Sequence, residues 1–129
     1  GPMKFGTGSG PFYQASNLTI TATDIPVLSS ATSLAAIFYQ CSSLTTVPNM
    51  GSWNVSNVTT LQSAFLGASN FNENIGSWTT SSLANIQGTF YGATAFNQNI
   101  ANWNTSLVNT MVNTFRNASS FNQNIGSHN

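Results

Sequence analysis

FNENIGSWTTSSLANIQGTFYGATA, residues 71–95, is followed directly by a near copy of itself, FNQNIANWNTSLVNTMVNTFRNASS, residues 96–120. A phenylalanine opens each of these stretches and also the fragment after them. These residues, Phe71, Phe96 and Phe121, are therefore equally spaced. A constant period of about 25 residues is typical of proteins that stack one structural unit on the next. The sequence thus indicates a repeat array in which each such unit forms one coil.

Toward the N-terminus the sequence matches the repeat pattern less closely, and the second coil contains an insertion around residues 46–50. A single repeat domain is predicted over residues 18–129, and residues 1–17 are expected to be a leader in which Gly1-Pro2 is typical of the remnant of a cleaved tag. The predicted units are irregular coils 18–43 and 44–70, regular coils 71–95 and 96–120, and a partial coil 121–129.

Each regular coil contains a stripe of apolar residues with helical spacing. Leu83, Ile86, Phe90 and Ala93 fall at i, i+3, i+7 and i+10, which is one face of a short helix. Hydroxyl residues that could serve as N-caps precede each stripe, at Ser56, Ser81 and Ser106. Residues that tolerate the left-handed conformation follow each stripe, at Gly67, Gly92 and Asn117. These patterns predict helices near 57–66, 82–91 and 107–116.

The remainder of each coil, such as residues 71–78, is too short for a second helix and is predicted to be a short strand. The alternating segment Leu18–Thr23 is the clearest strand pattern in the chain. Parallel strands stack more closely than helices, so the array should bend with its helices on the convex side. The predicted fold class is α/β: a right-handed β/α solenoid of leucine-rich-repeat type. It would have about four coils, one for each repeat unit, with short parallel strands on one face and short helices on the other.

The pattern F-x-x-A-x-x-F-N-x-x-I-x-x-W-x-x-S occurs at residues 65–81 and again at residues 90–106. It resembles the BspA-type leucine-rich repeats of bacterial surface proteins, and the similarity extends over about 44–129. The resemblance implies a β/α solenoid displayed on a cell or particle surface, with a role in adhesion and no enzymatic activity. Charged residues, which are common on such repeats, are nearly absent from this chain.

Charge is the unusual feature of the composition. Only 3% of the residues are charged, whereas about a quarter is usual, and the formal net charge is zero. Binding to nucleic acid or to an anionic membrane requires a basic surface, so neither partner is expected. The longest apolar run, around 34–39, is far shorter than a membrane span, and membrane insertion is not expected.

The residues needed for catalysis or metal binding are few and scattered. Asp24 and Glu73 belong to different coils, His128 lies in the terminal fragment, and Cys41 occupies a column that is otherwise alanine. No nucleophile with a base, no carboxylate pair and no cluster of metal ligands is evident. The chain is therefore predicted not to be an enzyme, with no catalytic, cofactor or metal site.

Two columns of residues have both a structural and a functional interpretation. Trp53, Trp78 and Trp103 recur once per coil and could form a buried ladder or an exposed platform for sugars, of which the ladder is favoured. The asparagines could satisfy backbone groups inside turns or could form an exposed hydrogen-bonding face. Those asparagines are Asn72, Asn97 and Asn122, with Asn74, Asn99 and Asn124.

Glu73, Gln98 and Gln123 share one column beside these asparagines and are the preferred ligand-facing residues. Asn102 and Asn104 flank the tryptophan column and are expected to lie on the same surface. The alternative interpretation is that all five are ordinary solvated residues.

The favoured hypothesis is a noncatalytic recognition or adhesion module, extracellular or on a cell surface, that binds a protein or a glycan through its strand face. Alternatives are a segment of a virion tail or fibre and a structural spacer. An ice-binding solenoid is disfavoured because the T-x-T pattern of residues 19–23 does not recur in later coils. End-to-end self-association through the uncapped C-terminal coil is a further expectation.

Overall fold

The computed structural model describes residues 14–125 of the chain. Within these residues regular secondary structure is almost absent, since the one helix is a short 3₁₀-helix, η1, at Met50–Ser52. No strand is formed in this part of the chain, and the extended pairing consists of isolated parallel bridges. The bridges link Ser33 to Thr60, Thr60 to Asn85 and Asn85 to Thr110.

The prediction of a right-handed β/α solenoid of leucine-rich-repeat type is therefore wrong. The segments expected to be helices, 57–66, 82–91 and 107–116, each contain a short irregular stretch with one bridge residue, followed by a run of consecutive turns. The expected strands at 18–23 and 71–78 are irregular. The physical reason lies in the direction of the backbone N–H groups. Leu61, Ser63 and Phe65 donate to carbonyls of the following coil, so these groups cannot bond four residues back as an α-helix requires.

The turns depend on residues with positive φ at two positions in each coil. Ser63 and Gly67 have φ of 56° and 71°, and each is the third residue of a turn, where a type II turn requires positive φ. The left-handed conformation expected at Gly67, Gly92 and Asn117 is thus present, although it occurs within turns and does not end a helix. The other residues of these two columns are Gln14, Ala36, Gln40, Gly88 and Asn113.

Neighbouring coils are joined by a row of backbone hydrogen bonds from alternate residues. Leu61, Ser63, Phe65 and Gly67 donate to the carbonyls of Asn85, Gln87, Thr89 and Tyr91, at N–O distances of 2.7–2.9 Å. The same row is repeated one coil later, from Ile86, Gly88, Phe90 and Gly92 to Thr110, Val112, Thr114 and Arg116. Every bond runs from a donor in one coil to an acceptor in the next, so the row has a direction.

The interior consists of aromatic columns that run through the stack. Phe65 lies between Phe38 and Phe90, with ring centroids 5.8 and 5.5 Å away, and Phe90 is followed by Phe115 at 5.6 Å. A second column contains Phe71, Phe96 and Phe121, separated by 6.0 and 5.9 Å. Aliphatic residues such as Leu61, Leu83 and Ile75 are almost fully buried beside these rings. Stacked apolar side chains, and not regular secondary structure, therefore form the core.

The packing register continues toward the N-terminus as far as the structure describes the chain. Gln14 has a φ of 57°, as Gln40 has 56°, and its backbone N donates to the carbonyl of Tyr39 at 2.7 Å. Ala15, Leu18 and Ile20 pack against the core, and Ser43 donates to the carbonyl of Ser16. Residues 14–20 therefore lie on the first complete coil as a further layer. Residues 1–13 of the predicted leader and residues 126–129 of the predicted partial coil lie outside the described residues.

Candidate functional site

The asparagine and glutamine columns form a ladder of amides on the outside of the stack. The Oδ1 atom of Asn72 accepts hydrogen bonds from the backbone N of Asn97 at 2.8 Å and from Nε2 of Gln98 at 3.1 Å. The Nε2 atom of Gln98 also lies 2.9 Å from the carbonyl oxygen of Asn72. Asn97 holds Asn122 and Gln123 in the same way, at 2.9–3.1 Å. The Oδ1 atoms of Asn72 and Asn97 thus join their coils to the next.

The amide nitrogens of the asparagines take no part in the bonds of this ladder. Asn72, Asn97 and Asn122 are exposed, whereas Gln98 and Gln123 are half-buried. Among the described residues, no acceptor is paired with Nδ2 of Asn72 or Asn97. We call Asn72, Asn97, Asn122, Gln98 and Gln123 the amide face. It presents neutral donors on side chains whose positions are fixed by bonds between coils.

Glu73 occupies the column of Gln98 and Gln123 but makes different bonds. Its Oε2 atom accepts from the backbone N of Val47 at 3.1 Å, and its Oε1 atom accepts from the backbone N of Asn74 at 3.2 Å. Val47 lies in the inserted segment next to η1. The carboxylate therefore satisfies the irregular backbone of the neighbouring coil, and Glu73 is a structural neighbour of the amide face.

Asn102 and Asn104 are both exposed, on either side of the buried Trp103. The Oδ1 atom of Asn104 accepts from the backbone N of Ser106 at 3.0 Å, and its backbone N donates to Oγ1 of Thr80 at 2.8 Å. Within residues 14–125, no hydrogen bond connects this pair with Gln98 or Gln123. The structure therefore does not bring the five predicted residues together as one cluster.

The tryptophan column forms a ladder inside the stack. Trp53, Trp78 and Trp103 are each only 3% exposed, and neighbouring rings stack at 6.4 and 6.1 Å. The indole N–H groups of Trp78 and Trp103 donate to the carbonyls of Met50 and Ile75, at 2.8 and 3.0 Å. Neither the ring faces nor these N–H groups are available to a sugar, so the interpretation as a core ladder is confirmed.

A column that the sequence analysis missed lies on the outside of the turn runs. Tyr39, Leu66, Tyr91 and Arg116 are the residues that follow the stacked phenylalanines of each coil, and the first three are half-buried. The guanidinium carbon of Arg116 lies 5.6 Å from the centre of the Tyr91 ring, within the range of a cation–π contact. We call these four residues the tyrosine column. The sequence signal was their regular position directly after Phe38, Phe65, Phe90 and Phe115.

Cys41 is the one described residue with a thiol, and it is fully buried. Burial raises the pKa of this thiol above its ordinary value of 9.0, and a hydrogen bond with the backbone of Ala15 partly offsets that effect. A buried neutral thiol is a poor nucleophile because the thiolate is the reactive species. In the described part of the chain, no three residues among His, Cys, Asp and Glu are grouped so that they could hold a metal ion. No helix of residues 14–125 is long and apolar enough to cross a membrane.

Comparison with known proteins gives a family but no characterised relative. No curated protein and no solved structure matches the chain. Residues 11–129 match the family described as "Mycoplasma protein of unknown function, DUF285". The assignment to the BspA-type leucine-rich repeats is therefore wrong, in agreement with the absence from residues 14–125 of the helices and strands that it implied. Because the match includes almost the whole sequence, the chain belongs to the DUF285 family.

Proposed function

We propose that the chain is a noncatalytic recognition module, extracellular or on a cell surface, that binds a neutral glycan through its amide face. The observation that carries this proposal is the pair of exposed asparagines, Asn72 and Asn97, whose Oδ1 atoms bond the next coil and whose Nδ2 atoms have no acceptor among the described residues. Sugar hydroxyl groups are suitable acceptors for such donors. The spacing of the donors follows the coil repeat, which suits a ligand that is itself repetitive.

Fixed donors favour binding because little conformational freedom remains to be lost. A neutral hydrogen bond contributes only about 0.5–1.5 kcal/mol, so a single amide would bind too weakly for recognition. Several amides in register on one ligand would add their contributions. The near absence of charge has a further consequence for this mode of binding. The dissociation constant should change less than about twofold between about 50 and 500 mM NaCl, because no ion pair is screened.

The test is a binding screen against neutral and charged glycans, followed by titration with the double variant Asn72→Asp/Asn97→Asp. Aspartate keeps an acceptor oxygen for the bonds between coils and replaces the donor with a second acceptor oxygen, and urea unfolding of the double variant checks that the stack remains folded. The matched control is Asn109→Asp, an exposed asparagine outside the amide face. We expect at least a tenfold loss of affinity in the double variant and no change in the control. Absence of any bound glycan, or equal affinity in the double variant, would refute the proposal.

The second candidate function is binding of a protein through the tyrosine column. Tyrosine and arginine are enriched at protein interfaces, and here Tyr91 and Arg116 contact each other on the surface beside Leu66. A protein ligand that is lost on Tyr91→Ala but retained by Asn72→Asp/Asn97→Asp would favour this candidate. If both surfaces can be altered without loss of any ligand, a structural spacer or a virion fibre segment becomes the better proposal.

A further inference from the structure

On the amide face, side-chain amides of neighbouring coils are bonded to each other in pairs. The Oδ1 atom of Asn72 accepts from Nε2 of Gln98 at 3.1 Å, and the Oδ1 atom of Asn97 accepts from Nε2 of Gln123 at 2.9 Å. Each Nε2 atom also donates to the backbone carbonyl of the same asparagine, at 2.9 and 3.1 Å. We call Asn72 with Gln98, and Asn97 with Gln123, the amide pairs. Hydrogen bonds therefore hold both amide groups of a pair in place.

Each amide pair leaves one donor group and one acceptor unused. A primary amide has an NH₂ group, which donates, and a carbonyl oxygen, which accepts. Within residues 14–125, Nδ2 of Asn72 and Nδ2 of Asn97 have no acceptor. In the same part of the chain, Oε1 of Gln98 and Oε1 of Gln123 have no donor. A ligand group that both accepts and donates a hydrogen bond would therefore match what the pairs leave unused.

The unused groups recur with the coils. Asn72 and Asn97 are one sequence repeat apart, as are Gln98 and Gln123. Backbone segments that are hydrogen-bonded side by side lie about 4.7–4.9 Å apart, so the unused groups should recur at about this interval. A ligand that contacts both pairs needs its own accepting and donating groups at short, regular intervals. A sugar polymer with one such group on every ring satisfies this requirement.

We propose that the amide face binds a glycan built of N-acetylhexosamine units and that it contacts their acetamido groups. This inference rests on the proposed function and specifies its ligand. The acetamido carbonyl accepts from Nδ2 of an asparagine, and the acetamido N–H group donates to Oε1 of a glutamine. An acetamido group is a planar amide, so one rigid group makes both contacts. Two hydroxyl groups would each have to fix a rotating O–H bond, at a greater cost in conformational freedom.

The charges around the amide face favour a neutral glycan. Glu73 lies in the glutamine column, and its carboxylate is held by the backbone N atoms of Val47 and Asn74. Arg116, the one lysine or arginine among the described residues, lies over the ring of Tyr91. A sugar with a carboxylate or a sulfate group would be repelled by Glu73 without gaining a cation. Acetamido sugars provide the amide and carry no charge.

The test compares two tetrasaccharides that differ in one substituent on each ring. The first is the β-1,4-linked tetramer of N-acetylglucosamine, and the second is the β-1,4-linked tetramer of glucose, which has a hydroxyl group in place of each acetamido group. Both are titrated into the isotopically labelled full chain. We expect saturable shifts of the side-chain amide signals of Asn72, Asn97 and Gln98, and at least tenfold tighter binding of the acetamido tetramer. Monomeric N-acetylglucosamine should bind at least tenfold more weakly than its tetramer, because it reaches one pair only.

Two glutamines provide matched variants of the full chain. Gln98→Lys keeps a donor for the bonds to Asn72 and removes the Oε1 acceptor. Gln87→Lys adds the same charge at a half-buried glutamine outside the amide face. The acetamido tetramer should bind at least fivefold more weakly to Gln98→Lys and within twofold of the unchanged affinity to Gln87→Lys. Urea unfolding checks that both variants fold, and the comparison of the two tetramers on the unaltered chain does not depend on either variant.

Three outcomes would overturn the inference. Equal affinity for the two tetramers would show that the acetamido group is not recognised. Unchanged affinity of folded Gln98→Lys would show that the glutamine acceptor is not used. Binding only of glycans without acetamido groups, lost in Asn72→Asp/Asn97→Asp, would refute the acetamido inference and leave the proposed function standing. If no glycan binds at all, both fail together.

Discussion

At the scale of single residues, one position in the coil shows how side-chain chemistry follows the needs of the neighbouring backbone. Gln98 and Gln123 donate through Nε2 to the carbonyls of Asn72 and Asn97. Glu73 occupies the same column one coil earlier, where it faces the inserted segment and the N–H group of Val47. A carboxylate only accepts hydrogen bonds, and Glu73 accepts one from this N–H group. The column therefore has glutamine where the neighbouring coil offers a backbone carbonyl, and glutamate where it offers a backbone N–H group.

Gly92 tests the requirement for positive φ. Its φ is 70°, and a Cβ atom added there would meet nothing closer than 3.8 Å. The cost of Gly92→Ala is therefore conformational and should be about 1–2 kcal/mol of unfolding free energy. Gly92→Asn should cost less, because asparagine tolerates this conformation and occupies the equivalent position as Asn117, with a φ of 60°. Urea unfolding of both variants gives the comparison, and an alanine variant as stable as the asparagine variant would contradict the prediction.

Thr89 tests a buried hydrogen bond between coils. Its side chain is 0% exposed, and Oγ1 lies 2.9 Å from the carbonyl oxygen of Leu61 and 2.8 Å from that of Ile86. Thr89→Val keeps the shape but leaves buried carbonyls with one donor fewer, so we expect a loss of about 1–2 kcal/mol. Thr94→Val is the control, because water can replace its exposed hydroxyl bond to Ser69. Similar losses in the two variants, measured by urea unfolding, would argue against a special role for burial.

At the scale of the elements, a run of turns has taken the place of each predicted helix. A side chain points inward every three or four residues in both structures, so the spacing of Leu83, Ile86 and Phe90 cannot distinguish them. The distinction lies in Gly88, which would weaken the middle of a helix but suits the third position of a turn with its φ of 61°. Asn54 and Asn104 reinforce the alternative, since their side chains accept from Ser56 and Ser106, the residues predicted to be N-caps.

The aromatic column makes the strength of each coil depend on its neighbours. Phe90 is fully buried and packs against Phe65, Phe96 and Phe115, whereas Phe115 is only partly buried. Phe90→Leu should reduce the unfolding free energy by about 1–3 kcal/mol, and Phe115→Leu by less than half as much. Thermal and urea unfolding of the two variants provide the measurement. Equal destabilisation would mean that Phe115 is covered in solution.

At the scale of the whole molecule, the sequence predicted the period, the buried columns and the left-handed residues, but neither the elements nor the family. The period could be read because identical residues such as Phe71, Phe96 and Phe121 must stack on one another. The secondary-structure elements could not be predicted in this way. The spacing of apolar residues does not indicate whether a backbone N–H group donates within its own coil or to the next one. Two of the predicted site residues, Gln98 and Gln123, lie on the amide face. Their hydrogen bonds to the carbonyls of Asn72 and Asn97 could not be predicted from the sequence.

The chain has few titratable groups, which allows a prediction of how its stability depends on pH. With two acidic residues and one histidine in the whole chain, stability should change little between about pH 5 and 8. Burial raises the pKa of Cys41 in the folded state, so above about pH 9 the thiol ionises first in the unfolded chain, and stability should fall as pH rises. Cys41→Ala should remove this part of the alkaline loss, and alanine fits because Ala68, Ala93 and Ala118 occupy the same column. Urea unfolding of both proteins at pH 8 and 9.5 measures the difference. An identical alkaline loss in Cys41→Ala would show that the thiol is not its source.

The direction of the backbone row bears on how such a chain can change its length over generations. In this row each interior coil accepts bonds from the preceding coil and donates bonds to the following one, so duplication or deletion of one whole repeat leaves the two coils that then meet chemically matched. A stretch of any other length would bring donors opposite the wrong carbonyls unless the surplus residues formed an irregular segment, such as the one that leads into η1. Recombination within the gene can therefore produce longer and shorter versions of the array in whole units.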